Sequence, residues 1–104
     1  MAVSVNNYTY DYETVAASQT GQVFGGAGAQ GDYLSHLLVI PETTSPGAVT
    51  IIDNATSIIV FVGGASSVSN LVPFVIPVEA RSASGAWSIT TGANVHLMAF
   101  GKAT

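Results

Sequence analysis

The chain has no segment in which apolar residues recur at helical spacing over three turns. β-Branched and aromatic residues instead cluster in short runs, and groups rich in glycine, proline, serine and asparagine separate these runs. Such runs are typical of β-strands, because branched and aromatic side chains pack well on a pleated sheet while the separating residues favour turns. The candidate strands are 8–16, 22–24, 33–40, 48–52, 57–62, 72–80, 86–90 and 94–100.

Seven or eight short strands in 104 residues predict a single all-β domain over 1–104. We expect an antiparallel β-sandwich of the jelly-roll type, because strands of this number and length suit two packed sheets. Residues 1–7 precede the first candidate strand and have little to hold them against it. They are therefore expected to form an N-terminal arm that can reach a neighbouring molecule.

Two prolines mark the candidate strand at 72–80 as the edge of a sheet. Pro73 and Pro77 are four residues apart, so both missing N–H groups would face the same neighbouring strand. The uncharged stretch 54–78 around them is long enough to suggest a membrane helix. Its polar centre at 63–70 and its prolines favour two strands joined by a loop instead, so no membrane span is expected.

Charged residues are scarce, with two basic and six acidic side chains making up 8% of the chain, against about 25% in an ordinary soluble domain. A folded domain of this size exposes about 5,500 Å², so most of its surface must be neutral and prone to association. We therefore expect a subunit of a larger assembly. Arg81 and Lys102 are the only cations, which argues against nucleic-acid and anionic-membrane partners.

No motif assigns catalytic, cofactor-binding or metal-binding residues, so neither an enzyme nor a cofactor is expected. Residues 26–31 match G-x-G-x-x-G, but a β-like run follows where the motif needs a helix, and a loop is the better interpretation. His36 and His96 lack the close spacing of a metal site, and the chain has no cysteine. Ser35 and His36, as strand neighbours, are expected to point to opposite faces. The carboxylates are scattered without close partners, which disfavours a general acid–base pair.

Aromatic residues supply the candidate interface. Tyr8, Tyr10 and Tyr12 alternate with polar residues, which places three rings on one face of the first strand. Tyr33 and Trp87 complete the candidate set. Rings of this kind either pack against another subunit or form a stacking platform for sugars. We favour the packing role, and for Trp87 a place in the core or at an interface.

Three segments resemble small structural proteins of tailed-bacteriophage virions. They are 33–47, 61–64 with the sequence Phe-Val-Gly-Gly, and 84–95 with the sequence Ser-Gly-Ala-Trp-Ser-Ile-Thr-Thr-Gly-Ala-Asn-Val. Within that group the chain is most similar to capsid cement or decoration proteins. The resemblance implies a jelly-roll or β-sandwich module that forms homotrimers over the junctions between capsomers and clamps the major capsid protein.

The same resemblance implies a place on the capsid surface of the virion and synthesis in the host cytoplasm, and the N-terminus lacks the pattern of a signal peptide. An alternative function is a phage tail or fibre module that binds receptor glycans, with the tyrosine row as its sugar platform. A third class, a small hydrolase or metal enzyme, would need His36 or His96 to meet carboxylates in a pocket.

Overall fold

Eight β-strands and their connections make up the structure, a computed structural model that describes residues 10–104. The strands are β1 (Asp11–Val15), β2 (Gln22–Val23), β3 (Tyr33–Pro41), β4 (Val49–Asp53), β5 (Thr56–Phe61), β6 (Phe74–Arg81), β7 (Trp87–Thr91) and β8 (Val95–Lys102). The bounds of β2–β8 agree with the predicted strands within two residues at each end. The described residues include no helix long and apolar enough to cross a membrane.

The strands form two four-stranded sheets, and every pairing between neighbouring strands is antiparallel. We call the sheet with the order β1-β8-β3-β6 sheet A and the one with the order β2-β7-β4-β5 sheet B. Apart from the β4–β5 hairpin, consecutive strands lie in different sheets. This interleaved order of eight strands is that of a jelly roll, which confirms the predicted fold class.

The core lies between the sheets and is built from inward-facing residues, which alternate with outward-facing residues along the strands. In β8, residues 95, 97, 99 and 101 are buried while the residues between them are partly exposed, as the two-residue period of a strand requires. The buried apolar side chains are Val15, Phe24, Leu34, Leu37, Val39, Val49, Ile51, Trp87, Ile89, Val95, Leu97 and Ala99. Because both sheets contribute, burial of this set holds the two layers together.

A β-bulge interrupts the alternation in β3. Leu34 pairs with Gly101 and His36 with Phe100, so Ser35 is an extra residue relative to β8. The expectation that Ser35 and His36 point to opposite faces is therefore wrong. The bulge leaves Ser35 buried beside the His36 ring, with Ser35 Oγ 3.0 Å from His36 Nδ1.

Proline marks one edge of sheet A, as the sequence predicts. Among residues 10–104, β3 is the only strand that pairs with β6. Pro77 lies opposite His36 in this pair, whereas Pro73 directly precedes β6. Strand β6 carries a bulge of its own, in which Glu79 adopts φ 53°. Both features disturb the regular ladder along this edge.

Candidate interaction surface

Aromatic side chains from three strands meet on the outer face of sheet A. Tyr12 of β1 lies opposite Phe100 of β8, and Phe100 lies opposite His36 of β3. Tyr10 and Tyr33 join them at one end of this row. We call this surface the aromatic face, defined by Tyr10, Tyr12, Tyr33, His36 and Phe100.

The rings of the aromatic face contact one another as well as solvent. The His36 and Phe100 rings stack with centroids 4.6 Å apart and planes 9° apart. Tyr12 lies 6.4 Å from Phe100, and Tyr10 lies 6.2 Å from Tyr33 and 6.1 Å from His36. These separations are typical of interacting aromatic pairs. Nevertheless Tyr12 remains 64% exposed and Tyr10 39% exposed, so the cluster presents apolar area to the outside.

A second row of uncharged side chains extends the apolar surface. Thr14, Met98, Leu38 and Val75 lie opposite one another across the four strands of sheet A. Val75 is 57% exposed. The charged residues lie at the margins of this face. Arg81 and Lys102 pair with Tyr33 in the register and therefore lie at one end of the sheet, and Glu79 lies on the outer strand β6. The centre of this face is neutral, as expected for the buried part of a protein–protein interface.

A shallow depression of about 350 Å³ borders the aromatic face at the bulge. Ser35, His36, Val75, Pro77 and Glu79 line it. Its hydroxyl, imidazole and carboxylate groups can exchange hydrogen bonds with a hydroxyl-bearing ligand. The contact between Ser35 and His36 is not by itself a nucleophilic site, because such a site also needs a group that orients the histidine and donors for an oxyanion.

The second histidine meets a carboxylate. His96 Nδ1 lies 2.7 Å from Glu42 Oε2, and both line an open pocket of about 290 Å³ together with residues 14–17. The prediction that the carboxylates lack close partners is therefore wrong for Glu42. This pair supplies two metal-ligand side chains, and the described residues contain no group of three or more His, Cys, Asp or Glu that could hold a metal ion.

Three other carboxylates hold the fold together. Glu13 accepts hydrogen bonds from the Gln22 side chain and the Gly25 backbone, which links the first two strands. Asp53 accepts hydrogen bonds from the backbone N–H groups of residues 83, 84 and 85. These hydrogen bonds hold the pKa of the Asp53 carboxyl below its usual value. Asp32 accepts hydrogen bonds from Ala29 and Thr104.

The predicted interface residues fall into three groups. Tyr10, Tyr12 and Tyr33 lie together on the aromatic face, whereas Tyr8 lies outside the described residues. Trp87 is 4% exposed, and its Nε1–H donates to the Ala80 carbonyl at 3.3 Å. Of the two places predicted for Trp87, the structure shows the core, so Trp87 leaves the set of interface candidates.

His36 and Phe100 are the members of the aromatic face that the sequence did not indicate. Both occupy outward positions of strands, but only the strand order brings them next to Tyr12. Phe100 alternates with buried residues of β8. This pattern predicts that its side chain faces outward, but it does not predict which side chains lie beside it.

Comparison with protein-family models, curated proteins and solved structures finds no match for this chain.

Proposed function

We propose that this protein is a structural subunit of a bacteriophage virion, a capsid cement or decoration protein. In this proposal its homotrimers sit on the capsid surface and bind the major capsid protein. The observation that carries the proposal is the aromatic face, a neutral and partly exposed surface on the outer side of sheet A. The jelly-roll fold and the resemblance of segments 33–47, 61–64 and 84–95 support the same function.

The proposed mechanism is mechanical and needs no catalysis, metal or cofactor. A cement protein that bridges neighbouring capsid subunits buries surface on each of them, so expansion or rupture of the shell must first break those contacts. The rings of the aromatic face suit this role because they bury much area with few rotatable bonds. Repetition around the symmetric shell multiplies each modest contact through avidity.

A binding experiment with capsids tests the proposal. Purified protein is mixed with capsids that lack it, and occupancy and the temperature of thermal rupture are measured. We expect saturable binding, a higher rupture temperature, and a loss of both in Tyr12→Ser. The matched control Val23→Ser changes a 37% exposed side chain on sheet B and should bind as the unchanged protein does. Failure to bind, with no change in rupture temperature, would reject the cement function.

A second candidate function is glycan binding by a tail or fibre module. The depression lined by Ser35, His36 and Glu79 favours it, because polar groups beside exposed rings are the usual means of holding a sugar. A glycan array distinguishes the two functions. Binding to a defined glycan that Glu79→Gln weakens would support the receptor-binding role, and an array without signal would count against it.

A further inference from the structure

Within residues 10–104, strand β5 is an unprotected sheet edge. The described part of the chain has four outer strands: β1 and β6 in sheet A, and β2 and β5 in sheet B. Strand β1 carries Asp11 and Glu13, β6 carries Pro77 and a bulge, and β2 is only two residues long. Charge, proline, bulges and shortness are the usual means of blocking unwanted strand pairing.

None of these protections covers the first four residues of β5. Its sequence, Thr-Ser-Ile-Ile-Val-Phe, has no charge and no proline, and the irregularity in its pairing with β4 lies beyond Ile59. Residues 56–59 therefore present a regular row of N–H and C=O groups on the side away from β4. Such a row is a template for one more strand.

Exposed apolar side chains lie on β5 and in the connection that follows it. Ile58 is 43% exposed, Ile59 61% and Val62 79%, and in the connection to β6 Leu71 is 51% and Val72 64% exposed. They belong to segment 54–78, in which no residue is charged. Ile58, Ile59 and Val62 therefore give this end of β5 an exposed apolar surface beside its unpaired backbone groups.

We propose that the occupant of this edge is a second copy of the same chain, with β5 paired antiparallel to β5 across a two-fold axis. The protein has a net charge of −4, so two copies repel each other at most orientations. A contact through β5 avoids this repulsion at the pairing itself, because β5 carries no charged residue. A two-fold axis perpendicular to the sheet makes the core-facing sides of both copies lie on the same side of the joined sheet. The residue at the axis then lies opposite its own copy, which is either Ile58 opposite Ile58 or Ile59 opposite Ile59.

The pairing joins the two copies of sheet B into one eight-stranded sheet. It leaves the aromatic face of sheet A free, because β5 belongs to the other sheet. The inference goes beyond the proposed function, and a trimer that uses other surfaces would become a hexamer through this contact.

Light scattering over a range of protein concentrations tests the pairing. We expect an even multiple of 10.6 kDa. We expect Ile59→Lys to weaken the association about tenfold or more, because in either register it places two ammonium groups on the same face of the joined sheet, close to the two-fold axis. The control Val23→Lys places the same charge on the opposite edge of sheet B and should leave the mass unchanged. Circular dichroism verifies that both variants are folded.

Amide hydrogen exchange provides the second measurement. The N–H groups of residues 56–59 that face away from β4 should exchange more slowly as the concentration of the unchanged protein rises, and Ile59→Lys should abolish this dependence. A monomer, an odd-numbered oligomer or an assembly that Ile59→Lys leaves intact would overturn the inference. Capsid binding is scored separately and should survive Ile59→Lys, so the two proposals fail independently.

Discussion

The carboxylate of Asp32 accepts hydrogen bonds from both the backbone N–H and the hydroxyl of Thr104, at 3.1 and 2.8 Å. Its Oδ2 also accepts from the backbone N–H of Ala29 at 2.8 Å. This buried group connects the residue before β3 to the segment after β8 and closes the loop at 25–31. Burial alone would raise the pKa of the Asp32 carboxyl, but the hydrogen bonds from Thr104 and Ala29 outweigh it and hold that pKa below its usual value.

The Asp32→Asn variant should lose about 1–3 kcal/mol of folding free energy at neutral pH, because an amide is a weaker acceptor than a carboxylate. Its NH₂ group would also face the donor groups of Ala29 and Thr104 and could not accept a hydrogen bond from them. A lowered folded-state pKa means that the ionised carboxylate stabilises the protein above the unfolded value, about pH 4. That contribution disappears as pH falls through the folded-state pKa. Urea unfolding at several pH values should show the two proteins converging in acid.

The matched control is Asp11→Asn, which changes an exposed carboxylate on β1. Its effect on the free energy of unfolding should stay within about 0.5 kcal/mol. Equal unfolding curves for Asp32→Asn and the unchanged protein at neutral pH would show that the hydrogen bonds of Asp32 add nothing to stability.

Local sequence patterns predicted most of the strands, but they did not predict the order of the strands in the sheets. Runs of β-branched residues located β2–β8, and Pro77 marked β6 as an edge, because both signals depend on residues close in sequence. Alternation along a strand assigns a face and says nothing about which strand lies beside it. Tyr12, His36 and Phe100 are therefore each recognisable as outward residues, while their meeting follows from the order β1-β8-β3. The bulge at Ser35 is a shift in the pairing of β3 with β8, so the pattern of residues along β3 does not predict it.

Gly101 makes the bulge in β3 possible. A Cβ atom at this position would overlap the carbonyl oxygen of Tyr33, a backbone atom that cannot move without disturbing the pairing of β3 with β8. Gly101→Ala should therefore lower the free energy of unfolding by about 2–3 kcal/mol. Gly85→Ala serves as the control, because its Cβ would come no closer than 3.1 Å to another atom, the Asn54 Cβ. Similar losses in the two variants would argue against a special role for Gly101.

Trp87 should report directly on the integrity of the core. It is the only tryptophan of the chain and is buried, so the emission of the folded protein should lie at short wavelength and shift to the red on unfolding. Trp87→Phe removes buried area and the hydrogen bond to Ala80, at a cost of about 1–3 kcal/mol measured by circular dichroism. Emission typical of an exposed indole in the folded protein would contradict this placement.

Under the proposed function, the stack of His36 on Phe100 should hold the aromatic face in the shape that binds the capsid. A double-mutant cycle with His36→Ala, Phe100→Leu and the double variant isolates the interaction from the area that each side chain buries. We expect a coupling free energy of about 0.5–1.5 kcal/mol from thermal or urea unfolding, because offset aromatic pairs contribute that much beyond burial. Tyr12→Ser should cost less than either single change, since Tyr12 is 64% exposed. Additive losses would mean that the rings merely lie side by side, and binding would then have to order them.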